Sequence, residues 1–230
     1  MSNFYSPTQI EPVAYIQNDF KEKFGIPRQS GKTSLRSKIV FLPKFQSAEA
    51  LREIEGFSHL WLIFDFSKAR EKGNEFSPTV RPPRLGGNKR VGVFASRSPF
   101  RPNFLGLSCV RLISVEQTKT DGQVLIVEGA DLLDGTPIFD IKPYLPHSDC
   151  IENAIGGYAD GVQDYAVQVV CDETLLSAIP KEKRQGLLEC LQNDPRPSYQ
   201  DDGRVYKMKF WEKEVSFSVE KGVLTVLDIQ

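Results

Sequence analysis

The 230-residue chain carries 29 Lys and Arg against 30 Asp and Glu, a formal net charge of −1, with 40% apolar and 26% charged residues. Those proportions are ordinary for a soluble globular protein, and the length suffices to bury a core without disulfide staples. No basic segment followed by an apolar core opens the sequence, and the longest apolar run, about six residues in HLWLIFDF, is far short of a membrane span, so a cytoplasmic protein without membrane association is expected.

In chain order, IEPVAYI, SKIVFLP, HLWLIFDF, RVGVFAS, LSCVRLISV, QVLIVEGADL and TPIFDIKPY are short, rich in β-branched and aromatic residues, and bounded by Gly, Pro, Asn or Asp. Each reads as a strand. Between the second and third, SAEALREIEGF predicts a helix: Ser47 can cap it, Ala48, Leu51 and Ile54 share a face, and Gly56 stops it. About seven strands with one short helix predict a mainly β fold, a closed or nearly closed β-barrel and not an alternating βαβ sheet. Two long loops interrupt it, from Lys21 to Lys38 and from Ser67 to Arg90. Long loops inside a compact domain are often functional.

Near residue 152 the texture changes, and ENAIGGYADGV reads as a linker. After it come a strand, YAVQVVCD, a helix, PKEKRQGLLECLQND, and a hairpin, RVYKMKFWEKEVSFSVEKGVLTVLDI. These make one small α+β unit. Two domains are therefore expected, 1–152 and 153–230.

Several chemistries lack their signatures. Cys109, Cys150, Cys171 and Cys190 form no C-x-x-C pair, so four reduced thiols are expected. His59 and His147 stand at no zinc-ligand spacing, so no metal is expected. Neither G-x-G-x-x-G after a strand nor G-x-x-x-x-G-K-[ST] occurs, which leaves the usual nucleotide folds unsupported.

Charge is distributed unevenly. Residues 76–115 carry seven basic residues (Arg81, Arg84, Lys89, Arg90, Arg97, Arg101 and Arg111) and no acid. Residues 21–44 add Lys21, Lys23, Arg28, Lys32, Arg36, Lys38 and Lys44 against Glu22 alone. A basic surface on a nearly neutral chain suits a polyanion, although scattered solubilising charges would look similar. The excess of arginine favours the first reading, because guanidinium grips phosphate bidentately and stacks on bases. Pro99 and Pro102 hold the residues before them extended, so Arg97 and Arg101 are presented at fixed positions, with Asn103 able to pin the turn. Gly86 and Gly87 supply a hinge or a left-handed turn.

A cluster of acids follows in EGADLLDGTPIFDIKPY. Asp134 opens a strong turn signal, Asp-Gly-Thr-Pro, and can be a turn former as well as a chemical group. Asp140 faces away from Phe139 and Ile141 and can pair with Lys142, which shares its face. His59, beside Trp61, reads as structural.

PRQ at 27–29, FSHLW at 57–61, TVRPPRLGGN at 79–88, VGVFASRSPFRPNFLGLS at 91–108, DLLDGTPIFDIKPY at 131–144 and DPRPSY at 194–199 together resemble the TsaA-like, or TrmO, family of bacterial tRNA (adenine-N6)-methyltransferases. The motifs span both halves of the chain in one order. The resemblance implies a non-Rossmann β-barrel methyltransferase domain, a small C-terminal domain, a homodimer and S-adenosylmethionine as cofactor. It implies N6-methylation of N6-threonylcarbamoyladenosine, at position 37 in the anticodon stem-loop of threonine-accepting tRNA.

By the same resemblance the cofactor site draws on Pro27, Arg28, Gln29, Ser67, Lys68, Arg97, Leu107 and the stretch Glu128, Gly129, Ala130, Asp131. Arg81, Arg84, Lys89, Arg90 and Arg101 are expected to hold RNA, by phosphate contacts or base stacking. The N6 atom is a weak nucleophile whose N–H is acidified by the carbamoyl group, so a nearby carboxylate should accept its proton, Asp134 first and Asp140 second. One departure stands out: the family motif RPNP-[IL]-G reads RPNFLG here, with Phe104 in place of proline. Two rival readings remain: a non-catalytic RNA-binding barrel, and a methyltransferase for another nucleoside or a small molecule.

Overall fold

In HLWLIFD, Leu60, Leu62 and Phe64 are buried while His59, Trp61 and Ile63 are only partly so. This is the period-two signature of a strand with one wet face. The computed structural model describes residues 7–73, 76–85, 89–162, 165–196 and 203–230. In order the elements are β1 (Ala14–Gln17), β2 (Arg36–Phe41), β3 (His59–Asp65), α1 (Ser67–Glu71), β4 (Thr79–Val80), β5 (Val91–Gly92), β6 (Leu105–Thr118), β7 (Gly122–Glu128), β8 (Pro137–Pro143), α2 (Pro146–Asp149), β9 (Gln168–Val170), α3 (Glu173–Leu176), α4 (Lys181–Gln192), β10 (Val205–Phe210), β11 (Lys213–Glu220) and β12 (Val223–Ile229).

Six strands pair in the order β1-β2-β7-β6-β3-β8, antiparallel throughout, and β8 pairs back onto β1, so the sheet closes as a barrel. Closure leaves no unpaired edge. Ile16, Ile39, Leu60, Leu62, Leu125, Val127 and Ile138 fill the interior. The register sets Gln17 opposite Lys38, Arg36 opposite Glu128, Asp65 opposite Leu105 and Phe64 opposite Ile138. The connections 18–35, 66–104 and 129–136 therefore all leave from one end of the barrel, and that end carries both expected long loops.

Two expected elements differ. RVGVFAS is not a barrel strand: only Val91 and Gly92 pair, with Thr79 and Val80, before a 3-10 turn over Val93–Ala95. Buried Val93 donates its N–H to the Pro78 carbonyl at 2.9 Å, so the segment folds onto its own loop. The helix expected at SAEALREIEGF is two 3-10 turns, Ala48–Leu51 and Ile54–Gly56, and the Ser47 side chain makes no capping bond. Glu53 separates the turns at a φ of 66°. The apolar positions 48, 51 and 54 recur every third residue, which is the 3-10 period and not the α period.

The C-terminal sheet runs β10-β11-β12-β9, with β9 parallel to β12. Helix α4 covers it with Leu187, Cys190 and Leu191. This second core, built on Phe210, Phe217, Val215 and Leu224, also takes in Phe20 and Leu35 from the connection between β1 and β2. Phe24 of the same connection stacks on Phe217 and Tyr206, with ring centroids 6.3 Å apart in each case.

Candidate active site

Backbone contacts build the site first. Gly31 donates its N–H to the Gly129 carbonyl at 2.8 Å, and Gly129 donates to the Leu35 carbonyl at 3.1 Å. Gly129 has a φ of 81°, and a Cβ on it would lie 3.1 Å from the Gly31 Cα. Only glycine meets both demands without strain. The PRQ segment is thereby fastened beside the stretch 128–131. Arg97 reaches the same place from the connection 66–104 and donates from Nη1 to Gln29 Oε1 at 2.5 Å.

Asp131 lies next in this group. Ser108, buried on the inward face of β6, donates its hydroxyl to Asp131 Oδ1 at 2.5 Å. Burial pushes the Asp131 carboxyl above the ordinary aspartate range, while the Ser108 hydroxyl, the residue's own backbone and the Arg97 charge draw it back. Pro27, Arg28, Gln29, Arg97, Gly129, Ala130 and Asp131 thus stand in one neighbourhood at the barrel end. Glu128 turns to the outer face and pairs with Arg111 at 3.4 Å, so its backbone alone adjoins the group. Leu107 points outward and is 56% exposed, one residue from Ser108.

Ser67 and Lys68 open α1. Phe66 donates its N–H to the Phe104 carbonyl at 2.7 Å, which sets α1 beside the RPNF turn. Lys68 pairs with Glu71 at 2.9 Å. Asp65, only 2% exposed, pairs with Arg70 and anchors the start of the helix. Phe104 sits at a φ of 53°, a conformation closed to proline, so the departure from the family motif changes the turn itself. Gly106 follows because a Cβ there would lie 2.2 Å from the Phe64 ring.

The two expected bases are both engaged. Asp134 accepts from the Asn18 N–H at 2.8 Å on one oxygen and from Lys21 Nζ at 2.7 Å on the other. Its own N–H donates to the Phe20 carbonyl at 2.9 Å. These are the contacts of a turn former, one of its two sequence readings. Asp140 accepts from the Ile141 N–H and pairs with Lys142 at 3.4 Å, with half its side chain exposed. It follows a bulge at Phe139 and lies in one cross-strand row with Ile63 and Leu107 on the outer face.

The basic residues divide by their partners. Lys21, Lys38 and Lys44 of the first run are matched by Asp134, Asp121 and Glu11. Among the described residues, none of Arg81, Lys89, Arg90, Arg97 or Arg101 meets a carboxylate within ion-pair distance. Arg90 donates to the Thr79 hydroxyl and Arg101 to the Ser96 carbonyl, so Arg101 also braces its own loop. Arg84 lies in a 3-10 turn over Pro83–Leu85. Its side chain, with Gly86 and Gly87, falls outside the described residues.

Two participants escaped the sequence reading, and a third, Lys23, was expected only as one of the basic run 21–44. Ser108 is a strand serine with no motif chemistry of its own. Asp65 ends a strand that reads as core. Lys23 sits over the Phe100 ring at 5.5 Å and is held below the ordinary lysine range by desolvation and by the charges of Lys72 and Arg28. Alternation could have flagged Ser108 as an inward polar residue, but nothing local points to Asp131 as its partner.

A model of the tRNA-methyltransferase O N-terminal domain matches residues 15–150, and a model of the TrmO C-terminal domain matches residues 166–230. The chain belongs to the tRNA-methyltransferase O family. Within that family it is 42% identical over 216 residues to the tRNA (adenine(37)-N6)-methyltransferase of Escherichia coli (strain K12), covering 90% of this chain and 89% of the relative. It is 38% identical over 230 residues, 96% of each chain, to a Pseudomonas aeruginosa protein provisionally named an S-adenosylmethionine-dependent methyltransferase. A crystal structure of TrmO from P. aeruginosa superposes with a TM-score of 0.78 at 34% identity, covering 98% of this chain and 97% of that one. The N-terminal family match takes in every residue named at the barrel end.

Proposed function

We propose that the chain is an S-adenosylmethionine-dependent tRNA methyltransferase acting on N6 of adenosine 37, in the form of N6-threonylcarbamoyladenosine in threonine-accepting tRNA. The observation that carries this is the match of both halves to one family, with 42% identity to a tRNA (adenine(37)-N6)-methyltransferase over 90% of the chain. The convergence of the 27–29, 97 and 128–131 segments at the barrel end supports it.

The donor set fits the cofactor. S-adenosylmethionine supplies an electrophilic methyl group and presents a carboxylate, an ammonium, ribose hydroxyls and an adenine. Arg97 is the cation for a carboxylate, with Gln29 fixing its guanidinium. Asp131, oriented by Ser108, accepts from hydroxyl or ammonium groups. The backbone of Glu128, Gly129 and Ala130 lines the site, Pro27 and Arg28 close it, Leu107 offers apolar surface, and Ser67 and Lys68 form the rim. Holding nucleophile and methyl group in line does most of the work in such a transfer. Proton removal from N6 falls to Asp140, which shares its outer row with Leu107, while Asp134 serves the fold.

Arg81, Arg84, Lys89, Arg90 and Arg101 grip the anticodon stem-loop, whose unpaired bases can be splayed and stacked. The exposed outer residues Leu107, Phe94, Ile151 and Ile155 suit a two-fold contact in a homodimer. In this reading residues 1–152 form the cofactor-binding domain and 153–230 the C-terminal domain, and the enzyme works in the cytoplasm. No helix among the described residues is long and apolar enough to cross a membrane.

The test is methyl incorporation from labelled S-adenosylmethionine into two tRNA pools, one from cells lacking this gene and one from cells also lacking threonylcarbamoylation. Label in the first pool alone is expected. Label in both pools would widen the substrate, and label in neither would favour a binding protein or another substrate.

A further inference from the structure

The segment from Arg28 to Leu35 is held from two sides. Gly129 and Arg97 hold it on the barrel side. The C-terminal unit holds the other. Arg28 Nη2 donates to the Arg196 carbonyl at 2.8 Å. Asn193 Nδ2 donates to the Lys32 carbonyl at 3.1 Å. The Ser34 N–H and hydroxyl both donate to Glu189 Oε2, at 2.5 and 2.8 Å. Leu35 fills the space a side chain would need at Gly186, where a Cβ would lie 2.3 Å from its Cγ.

The Arg196 carbonyl is itself held in place. Arg196 and Asp194 form a buried ion pair, with Nε to Oδ1 at 2.9 Å and Nη2 to Oδ2 at 3.1 Å. Tyr165 donates its hydroxyl to Asp194 Oδ2 at 2.7 Å. Burial opposes the Asp194 charge, but hydrogen bonds from Arg196 and Tyr165 hold its carboxyl below the ordinary range. A buried pair of this kind contributes little net stability against a well-packed apolar alternative, and its best-attested use is to fix geometry. The pair comes from the DPRPSY motif, to which the proposed chemistry assigns no task.

We infer that the C-terminal unit is a positioning element for the cofactor segment: Glu189 and the Asp194–Arg196 pair set Arg28 and Gln29 in register with Arg97. The inference rests on the reading of residues 27–29 as cofactor-lining. It makes Glu189, Asp194 and Arg196 positioning residues that touch neither cofactor nor RNA. It also gives the C-terminal unit a task on the cofactor side and not on the RNA side.

The experiment uses the full chain and measures S-adenosylmethionine affinity by calorimetry without tRNA, followed by KM for each substrate and kcat. Glu189→Ala should raise Kd and KM for S-adenosylmethionine by about tenfold, with kcat and the tRNA KM unchanged. Glu189→Gln, which keeps an acceptor for Ser34, should restore most of the affinity. Asp194→Asn should act in the same direction more strongly. Should it fail to fold, the Glu189 pair still decides, because Ser34 and Glu189 meet at the surface. Arg28→Ala is the reference. If it weakens the cofactor while Glu189→Ala does not, the positioning role is overturned. If Arg28→Ala leaves the affinity intact, the cofactor-lining reading fails, and the inference with it.

Discussion

Gly31 and Gly129 meet backbone to backbone, 2.8 Å from amide nitrogen to carbonyl oxygen, and join the first long connection to the end of β7. A Cβ on Gly129 would crowd the Gly31 backbone at 3.1 Å, and the residue holds a left-handed φ of 81°. Gly129→Ala would add a left-handed strain of roughly 1–2 kcal/mol to that crowding. Circular dichroism should report an intact β fold, and calorimetry a cofactor affinity reduced by about tenfold or more. Parent-like affinity would mean that the approach of the two segments does not shape the site.

Phe104 offers a second test. At a φ of 53° it cannot be replaced by proline without remaking the turn, and proline would also lose the N–H bond to the Arg101 carbonyl at 3.2 Å. Phe104→Pro should destabilise by more than about 1 kcal/mol, whereas Phe104→Gly relieves the backbone at the cost of the ring's contacts. Urea denaturation of the two variants should rank proline as the more damaging. The opposite order would show that the turn refolds readily to the family form.

Asp131 carries an electrostatic cost. Its carboxyl is raised by burial above the ordinary value near 3.9. Between that value and the raised one the folded state holds more protons than the unfolded, so stability falls as pH rises through the window. Above the window the full penalty applies. Asp131→Asn removes it, and the variant should melt a few degrees higher than the parent at neutral pH while binding S-adenosylmethionine more weakly. Melting curves recorded from acidic to neutral pH should diverge as pH rises; parallel curves would show that Ser108 and Arg97 offset the burial.

The basic residues should separate by their partners. Arg81→Ala and Lys89→Ala should each reduce the slope of log affinity for tRNA against log salt by about 0.7–0.9. Lys44, matched by Glu11, should leave the slope unchanged when replaced by alanine. Filter binding across a salt series measures this directly, and equal slopes for all three variants would argue that the loop surface does not meet phosphate.

The two carboxylates are separable in the same way. Asp140→Asn should lower kcat by about a hundredfold or more with cofactor affinity retained, as expected for loss of a general base. Asp134→Asn should lower the melting temperature and change kcat by no more than about twofold, because its oxygens serve Asn18 and Lys21. Single-turnover methylation resolves the two, and a full-rate Asp140→Asn would remove it from the chemistry.

The barrel was legible where its strands alternate: β1 and β3 expose an inward row as every second apolar residue, whereas the inward row of β6 includes Ser108 and a bulge at Phe139 interrupts β8. RVGVFAS shares that composition but not the fate, since the closed ring leaves no edge and Val93 finds Pro78 nearby. The run from Ser47 to Gly56 carries a period of three, close enough to a helix face to predict one helix where two short turns stand. At the site, arginines in an acid-free stretch, and the stretch 128–131 through the family resemblance, were visible. The contacts that assemble them were not, because Ser108 finds Asp131 23 residues away and Arg28 finds Arg196 168 residues away. Asp134 had two readings in the sequence, and only the approach of Asn18 and Lys21 separates them.

The latch between the first connection and the C-terminal unit has a consequence for synthesis on the ribosome. Ser34 and Arg28 precede their partners Glu189 and Arg196 by 155 and 168 residues. At about 5–20 residues per second, an early segment waits roughly ten to thirty seconds for the groups that hold it. Phe20 and Leu35, destined for the second core, wait longer still, because that core also draws on residues up to Ile229. The barrel can close its ring well before β10, β11 and β12 are made, but its open end is finished only once they are in place.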